Sequence, residues 1–230
     1  MALPDWPTMN ALLVTGGEAP PRWRLESRFA DFDLVCAADS GLDTLVSWDI
    51  APDIIVGDMD SVSNPELVER FPLAKLILEP RDKDETDTEM GLTALSARGA
   101  DRIVLAGGGG GRLDHILAIR CIFERIQGGY RRPNEWHTAR ETLYLVEEGH
   151  SLALDAEAGS IVSVFPLAGG AEGMRSSGLK WPLGGLRWSP GDCGVSNVAD
   201  GGRFDVSAGR GDLLLILQLN AAKGVRVCPN

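Results

Sequence analysis

Through the first half of the chain, short apolar runs rich in β-branched residues alternate with helix-like stretches: ALLVTGG at 11–17, DLVCAADS at 33–40, DIIVGDMDS at 53–61, KLILEP at 75–80 and RIVLAGGGGG at 102–111. Strands that read as unbroken apolar runs, separated by helical stretches, belong to a parallel sheet covered on both faces. Two helices are well marked. One is expected from about Asp87 to Arg98, capped by Thr86 or Asp87 and stopped at Gly99. The other starts near Arg112 and carries Leu113, Ile116, Leu117, Arg120, Ile122, Phe123 and Ile126, a mainly i, i+3, i+4 apolar stripe ending at Gly128 and Gly129. A weaker helix begins at Asn64, with Pro65 in its first turn.

At QGGYRRPNEWHTARE (127–141) the text changes, and after it the helical period does not return. The runs TLYLV, SLALD, SIVSVF, RFDVS and DLLLILQL follow, spaced by EEGH, GG, PGD and ADGG, which is turn chemistry between antiparallel strands. The expected fold class is therefore α/β plus all-β. Residues 1–135 form a Rossmann-like parallel sheet with flanking helices, and residues 136–230 an antiparallel β-sandwich or barrel.

Charge narrows what such a chain can grip. With 33 acidic against 22 basic residues and a formal net charge of -11, the chain argues against an electrostatic hold on nucleic acid or on an anionic membrane, because both need clustered Lys and Arg. A polyanionic substrate would need a metal ion between itself and the acids. Cys36, Cys121, Cys193 and Cys228 are far apart and form no CxxC pair, so they read as reduced, mostly core thiols rather than as a zinc or dithiol motif. The opening MALPDWPTMN lacks a basic segment followed by an apolar one, and no apolar run approaches about 18 residues, so the expected location is the cytoplasm.

Against that background the acids stand out by position. Ligands of open parallel sheets bind at the carboxyl ends of the strands, and Asp39, Asp58, Asp60 and Gly107 all fall at that edge. If GDMDS is still extended, Asp58 and Asp60 point to the same side, and a cation between them would relieve their repulsion. Mg²⁺ suits such a pair, since it takes oxygen ligands and is commonly held by one or two carboxylates plus substrate phosphates. DKDETDTEMGL places Asp82, Lys83, Asp84 and Asp87 before and at a helix start, where backbone N–H groups favour an anion such as phosphate. AGGGGGRLDHILA is strand, glycine turn and helix start. Its glycines let a phosphate approach the backbone, and Arg112 offers a charged fork beside Asp114 and His115. Walker A and GxGxxG spacings are both missing. Taken singly, each stretch also reads as an ordinary cap or turn.

Taken together, AADSGLDTL, PDIIVGDMDS, DKDETDTEMGL and GGGGGRLDHILA resemble, in this order and spacing, the catalytic domain of thiamine pyrophosphokinases. SSGLKWPL followed by GVSN is similar to the thiamine-binding β-domain of the same family, so the likeness runs from VTGGEAP to GDLLLIL. The resemblance implies an ATP- and Mg²⁺-binding catalytic domain at 1–135 and a thiamine-binding domain at 136–230. The implied reaction transfers a pyrophosphoryl group from ATP to the hydroxyethyl oxygen of thiamine, giving thiamine diphosphate and AMP. It also implies roles: Asp58, Asp60 and Asp87 hold the metal or orient the nucleophile, Asp39 and Asp84 support that acidic site, and Lys83 contacts phosphate. Gly109, Gly110, Gly111, Arg112, Asp114 and His115 bind the nucleotide, while Trp181, Ser196 and Asn197 receive thiamine. Trp136 and Trp188 are expected to be packing residues. The family arrangement further implies a homodimer with the site between subunits. A Mg²⁺-dependent phosphohydrolase, a pyrophosphokinase of a pterin alcohol and a non-catalytic nucleotide- or thiamine-binding module are the competing readings.

Overall fold

The computed structural model describes residues 8–78, 84–125 and 129–218, and the chain divides into two compact units, residues 1–139 and 140–230. The division falls shortly after the expected boundary at 135, because the segment Glu135–His137 pairs with the preceding parallel strand.

In the first unit the strands are β1 (Asn10–Thr15), β2 (Leu34–Ala38), β3 (Ile54–Gly57), β4 (Lys75–Leu78), β5 (Arg102–Ala106) and β6 (Glu135–His137). They pair in parallel in the order β6-β5-β1-β2-β3-β4. The helices are α1 (Gly41–Trp48), α2 (Asp87–Ser96) and α3 (Leu113–Glu124). Alternate residues of β1 face opposite ways, so Leu12 and Val14 pack in a cluster with Leu42, Leu45 and Trp48 of α1. Leu13 faces the other way: a Cβ at Gly91 of α2 would lie 2.5 Å from Leu13 Cδ1. Helices on both faces explain why these strands read as continuous apolar runs.

The helix expectations meet mixed outcomes. Thr86 caps α2 in a full capping box: its side chain accepts from Glu89 N at 3.2 Å, and Glu89 returns a bond to Thr86 N at 3.0 Å. Asn64 caps the segment Pro65–Arg70 as expected, but that segment is a 3₁₀ helix. On α3 the buried side chains are Ile119, Ile122 and Phe123, whereas Leu113 and Leu117 are 67% and 52% exposed, so the expected stripe is corrected to a narrower one near the helix end. Ile126 and Gly128 lie outside the described residues. The period of the sequence did not reveal α1, which is only two turns long.

The second unit is a sandwich, one of the two expected forms. Its strands are β7 (Glu141–Val146), β8 (Ser151–Ala156), β9 (Ile161–Pro166), β10 (Ala171–Glu172), β11 (Arg175–Ser177), β12 (Arg187–Trp188), β13 (Gly194–Val198), β14 (Gly202–Ser207) and β15 (Leu213–Gln218). One sheet pairs β13-β9-β15-β7 and another pairs β11-β14-β8, all antiparallel, with β10 and β12 as a short ribbon. Between the sheets lie Tyr144, Val146, Leu154, Val162, Val164, Phe204, Val206, Leu213, Leu215 and Leu217. Trp188 packs against this core and Trp136 is buried with its indole N–H on Gly107 O at 2.7 Å, so both are packing residues.

The thiols depart from expectation. Cys36 is buried, and burial pushes its thiol up to about 12, but Cys121 and Cys193 are exposed. Cys228 lies outside the described residues.

Candidate active site

Three carboxylates meet at the carboxyl edge of the parallel sheet. Asp39 follows β2, Asp58 and Asp60 follow β3, and one ligand oxygen from each lies within 4.8 Å of the others. The expected route to this convergence was wrong, although the convergence itself is present. β3 ends at Gly57, and Met59 has φ +62, so GDMDS is a turn and not extended chain. The turn is closed by Asp60 N donating to Asp58 Oδ1 at 3.0 Å and by the Ser61 hydroxyl donating to Asp60 Oδ1 at 3.0 Å. Met59 and Val62 pack into the core beneath it. Ser63 is bound on its far side by Asp43 of α1: the hydroxyl to Oδ1 at 2.5 Å and the backbone N–H to Oδ2 at 2.9 Å.

Asp39 is held in a left-handed conformation, φ +49, by Asp39 N on Val56 O at 2.9 Å and Leu42 N on Asp39 O at 3.0 Å. Aspartate tolerates this region better than most residues. Its Oδ1 is buried and, among the described residues, has no hydrogen-bond partner. Burial raises the Asp39 carboxyl above its ordinary value, opposed by bonds from the Ser61 hydroxyl and the Ser40 backbone and reinforced by the charges of Asp87 and Asp58. Three carboxylate oxygens this close together could hold a cation, and hard oxygen donors match Mg²⁺ in type. Asp39 thus stands inside the group, whereas Asp87 acts on it through charge from the first position of α2. The start of α2 is fixed against the sheet by the buried hydroxyl pair Thr15–Thr88, 2.8 Å apart, and by Arg125 on Glu89 at 2.5 Å. Asp84 is exposed just before it; Lys83 lies outside the described residues.

The glycine turn is built against the loop after β1. Gly107 N donates to His137 O at 3.0 Å, Gly108 N to Gly16 O at 2.7 Å and Gly109 N to Glu18 O at 3.3 Å, so the first three amides of the run are engaged within the fold. A Cβ at Gly107 would sit 2.1 Å from Thr15 O, which requires glycine there. Gly111 faces open space, so the phosphate expectation rests on Gly110, Gly111 and the start of α3. Arg112 forks onto Asp114, with Nε at 3.1 Å from Oδ1 and Nη2 at 2.6 Å from Oδ2, while His115 N donates to Asp114 Oδ1 at 3.1 Å. The hydrogen bond and charge of Arg112 hold the Asp114 carboxyl below its usual range. All three side chains are exposed.

In the second unit Trp181 and Asn197 come together although 16 residues apart. Asn197 is buried; its Oδ1 accepts from Trp181 N at 3.1 Å and Val198 N at 2.8 Å, and its Nδ2 donates to Trp181 O at 2.6 Å. The amide thus acts as a pairing strand for the Trp181 backbone. Trp181 itself is 53% exposed, with the Lys180 ammonium 4.7 Å from its ring centroid, so the ring face accepts a cation. Ser196 has φ +60 at a β-bulge where β13 slips against β9, and its N–H donates to Ser163 Oγ at 3.1 Å.

Residues 25–127 match the model described as thiamin pyrophosphokinase, catalytic domain, and residues 149–211 match that described as thiamin pyrophosphokinase, vitamin B1 binding domain. The chain belongs to the thiamin pyrophosphokinase family, whose members are transferases. Among solved structures it is similar to a thiamin pyrophosphokinase family protein from Enterococcus faecalis, at 26% identity and a TM-score of 0.74, covering 92% of this chain and 99% of that one. It is also similar to the thiamin pyrophosphokinase from Geobacillus thermodenitrificans, at 26% identity and a TM-score of 0.72, covering 93% and 99%. The enzyme from Bacillus subtilis, at 22% identity and a TM-score of 0.76 over 92% and 99%, shares the fold. No curated protein matches this chain. No helix among the described residues is long and apolar enough to cross a membrane.

Proposed function

We propose that this protein transfers the pyrophosphoryl group of ATP to the hydroxyethyl oxygen of thiamine, releasing AMP, with Mg²⁺ held at the acid nest. The observation that carries this reading is the convergence of Asp39, Asp58 and Asp60, with Asp39 Oδ1 lacking a partner among the described residues, in a chain whose two halves both match the family. Mg²⁺ bound there would neutralise phosphate charge as it develops in the transition state. Asp87, at the helix start beside the nest, is placed to orient the thiamine hydroxyl or to complete the metal ligands. Arg112, swung from Asp114 onto the nucleotide, offers a bidentate grip on phosphate, with Gly110, Gly111 and Lys83 assisting. Trp181 receives the thiamine rings on its open face, and Ser196 lies on the bulge where the strand leaves its partner. The proposal includes a homodimer, following the family arrangement, and action in the cytoplasm.

Incubation with ATP, Mg²⁺ and thiamine should yield AMP and thiamine diphosphate in equal amounts. Phosphate release without thiamine diphosphate would make the protein a phosphohydrolase. AMP release only with a pterin alcohol would move the substrate, and binding without turnover would make it a sensor. The dimer is tested by mixing Asp60→Asn and Trp181→Ala proteins: activity should reappear if acids and indole serve one another across subunits, and its failure to return despite subunit exchange would rule that arrangement out.

A further inference from the structure

We propose that Asp43 is a positioning residue for the metal site: its clasp on Ser63 holds the turn bearing Asp58 and Asp60 against Asp39. This rests on the reading that the three acids take a divalent cation. The clasp uses both carboxylate oxygens of Asp43, at 2.5 Å and 2.9 Å from the two donors of Ser63. Asp43 lies in the first turn of α1, with its N–H on Ser40 O at 3.1 Å, and Asp39 is joined to the same turn through Leu42 N. One helical turn therefore fixes Asp39 from one side and the acid-bearing turn from the other. That matters because the turn carries two of the three acids on a short, partly exposed stretch of chain. Asp58 and Met59 are partly buried and Val62 is seated in the core, but Asp60, Ser61 and Ser63 are exposed, so the clasp on Ser63 ties the exposed end of the turn to α1. The metal-capable group includes Asp39, Asp58 and Asp60 and leaves Asp43 out, so Asp43 acts through the turn.

Mn²⁺ serves as the probe, titrated into each protein and followed by the electron paramagnetic resonance signal of the free ion, with thermal melting recorded alongside. Asp43→Ala should weaken Mn²⁺ binding about tenfold, the scale of losing hydrogen bonds to a charged group. Ser63→Ala, on an exposed loop that leaves the core intact, should weaken it less, since the backbone bond survives. The double variant should bind no more weakly than Asp43→Ala, because both changes open one clasp. Asp43→Asn should stay within about threefold of the parent: its amide can accept from Ser63 N and donate to Ser63 Oγ. In assays, the Mg²⁺ concentration for half activity should rise in Asp43→Ala, with kcat largely restored at saturating Mg²⁺.

A lower melting temperature with unchanged Mn²⁺ affinity would make Asp43 a plain fold residue and overturn the proposal. So would an Asp43→Asn protein as impaired as Asp43→Ala, which would assign the effect to charge, or losses that multiply in the double variant. A parent protein that takes up no Mn²⁺ would remove the metal reading itself, and the clasp with it.

Discussion

Two clusters in the first unit use aspartate and glutamate in opposite ways. In one, Glu135 of β6 is bound by Arg28 Nη1 and Nη2 at 2.7 Å and 3.0 Å and by His137 Nε2 at 2.8 Å. Burial alone would raise this carboxyl; His137 and then Arg28 outweigh it and hold it down to about 2. In the other, Asp39 sits among Asp58, Asp60 and Asp87, its Oδ1 has no hydrogen-bond partner among the described residues, and burial raises its carboxyl. The first cluster has its charges matched and joins the 3₁₀ segment Glu26–Asp31 to the sheet. The second gathers acids at the carboxyl edge of the sheet, where the proposed cation would stand. The surroundings of an acid thus distinguish a carboxylate that ties elements together from one proposed to serve a ligand.

Asp60→Asn should produce the largest effect, a fall in turnover of more than about a hundredfold with the melting curve retained, because metal-held transition-state charge is worth several kcal/mol. Near-normal activity in Mg²⁺ would take Asp60 out of the site. Glu135→Ala should do the converse and lower stability by roughly 3 kcal/mol, the scale of breaking a mostly buried ion pair, as measured by urea unfolding. The same contrast has a pH signature. A carboxyl depressed in the folded state contributes stability above its unfolded value, and that contribution is lost as the pH falls toward about 2. Glu135→Gln should therefore flatten the acid limb of the stability curve; an unchanged limb would mean that other groups set it.

For Asp39 the sign reverses. A carboxyl raised on folding weakens the folded state as the pH climbs past its unfolded value, so Asp39→Asn should raise the melting temperature by a few degrees at neutral pH while abolishing metal-dependent activity. Asparagine also keeps the left-handed backbone. A lower melting temperature would show that Asp39 is paired after all. Smallest on stability should be Arg112→Ala, since the Arg112–Asp114 pair is exposed, at 70% and 62% of the two side chains. Its loss should leave urea unfolding unchanged and raise the Michaelis constant for ATP more than that for thiamine. An effect confined to thiamine would contradict the nucleotide assignment.

Much of this molecule is determined by short stretches of sequence. Apolar runs ending in acid or glycine place Asp39, Asp58 and Gly107 at one sheet edge, because parallel strands all present the same end. Thr86 and Glu89 build their capping box from a spacing of three residues, and Asn64 caps from its own sequence. Turn chemistry likewise separates an antiparallel half from a parallel one. Tertiary structure decided how the acids meet. Local alternation placed Asp58 and Asp60 on one side of an extended strand, whereas the left-handed Met59, the core seating of Val62 and the Asp43–Ser63 clasp make a turn that brings both to Asp39. Asp43 and Ser63 are 20 residues apart, Arg28 and Glu135 107, and Trp181 and Asn197 16. No periodicity links such pairs, since their contact depends on strand order and on the backbone angles of the connecting turns. Glu135 and the three aspartates all read as acids in the sequence; only the packed chain sets Arg28 and His137 beside the one and gathers the others at a sheet edge.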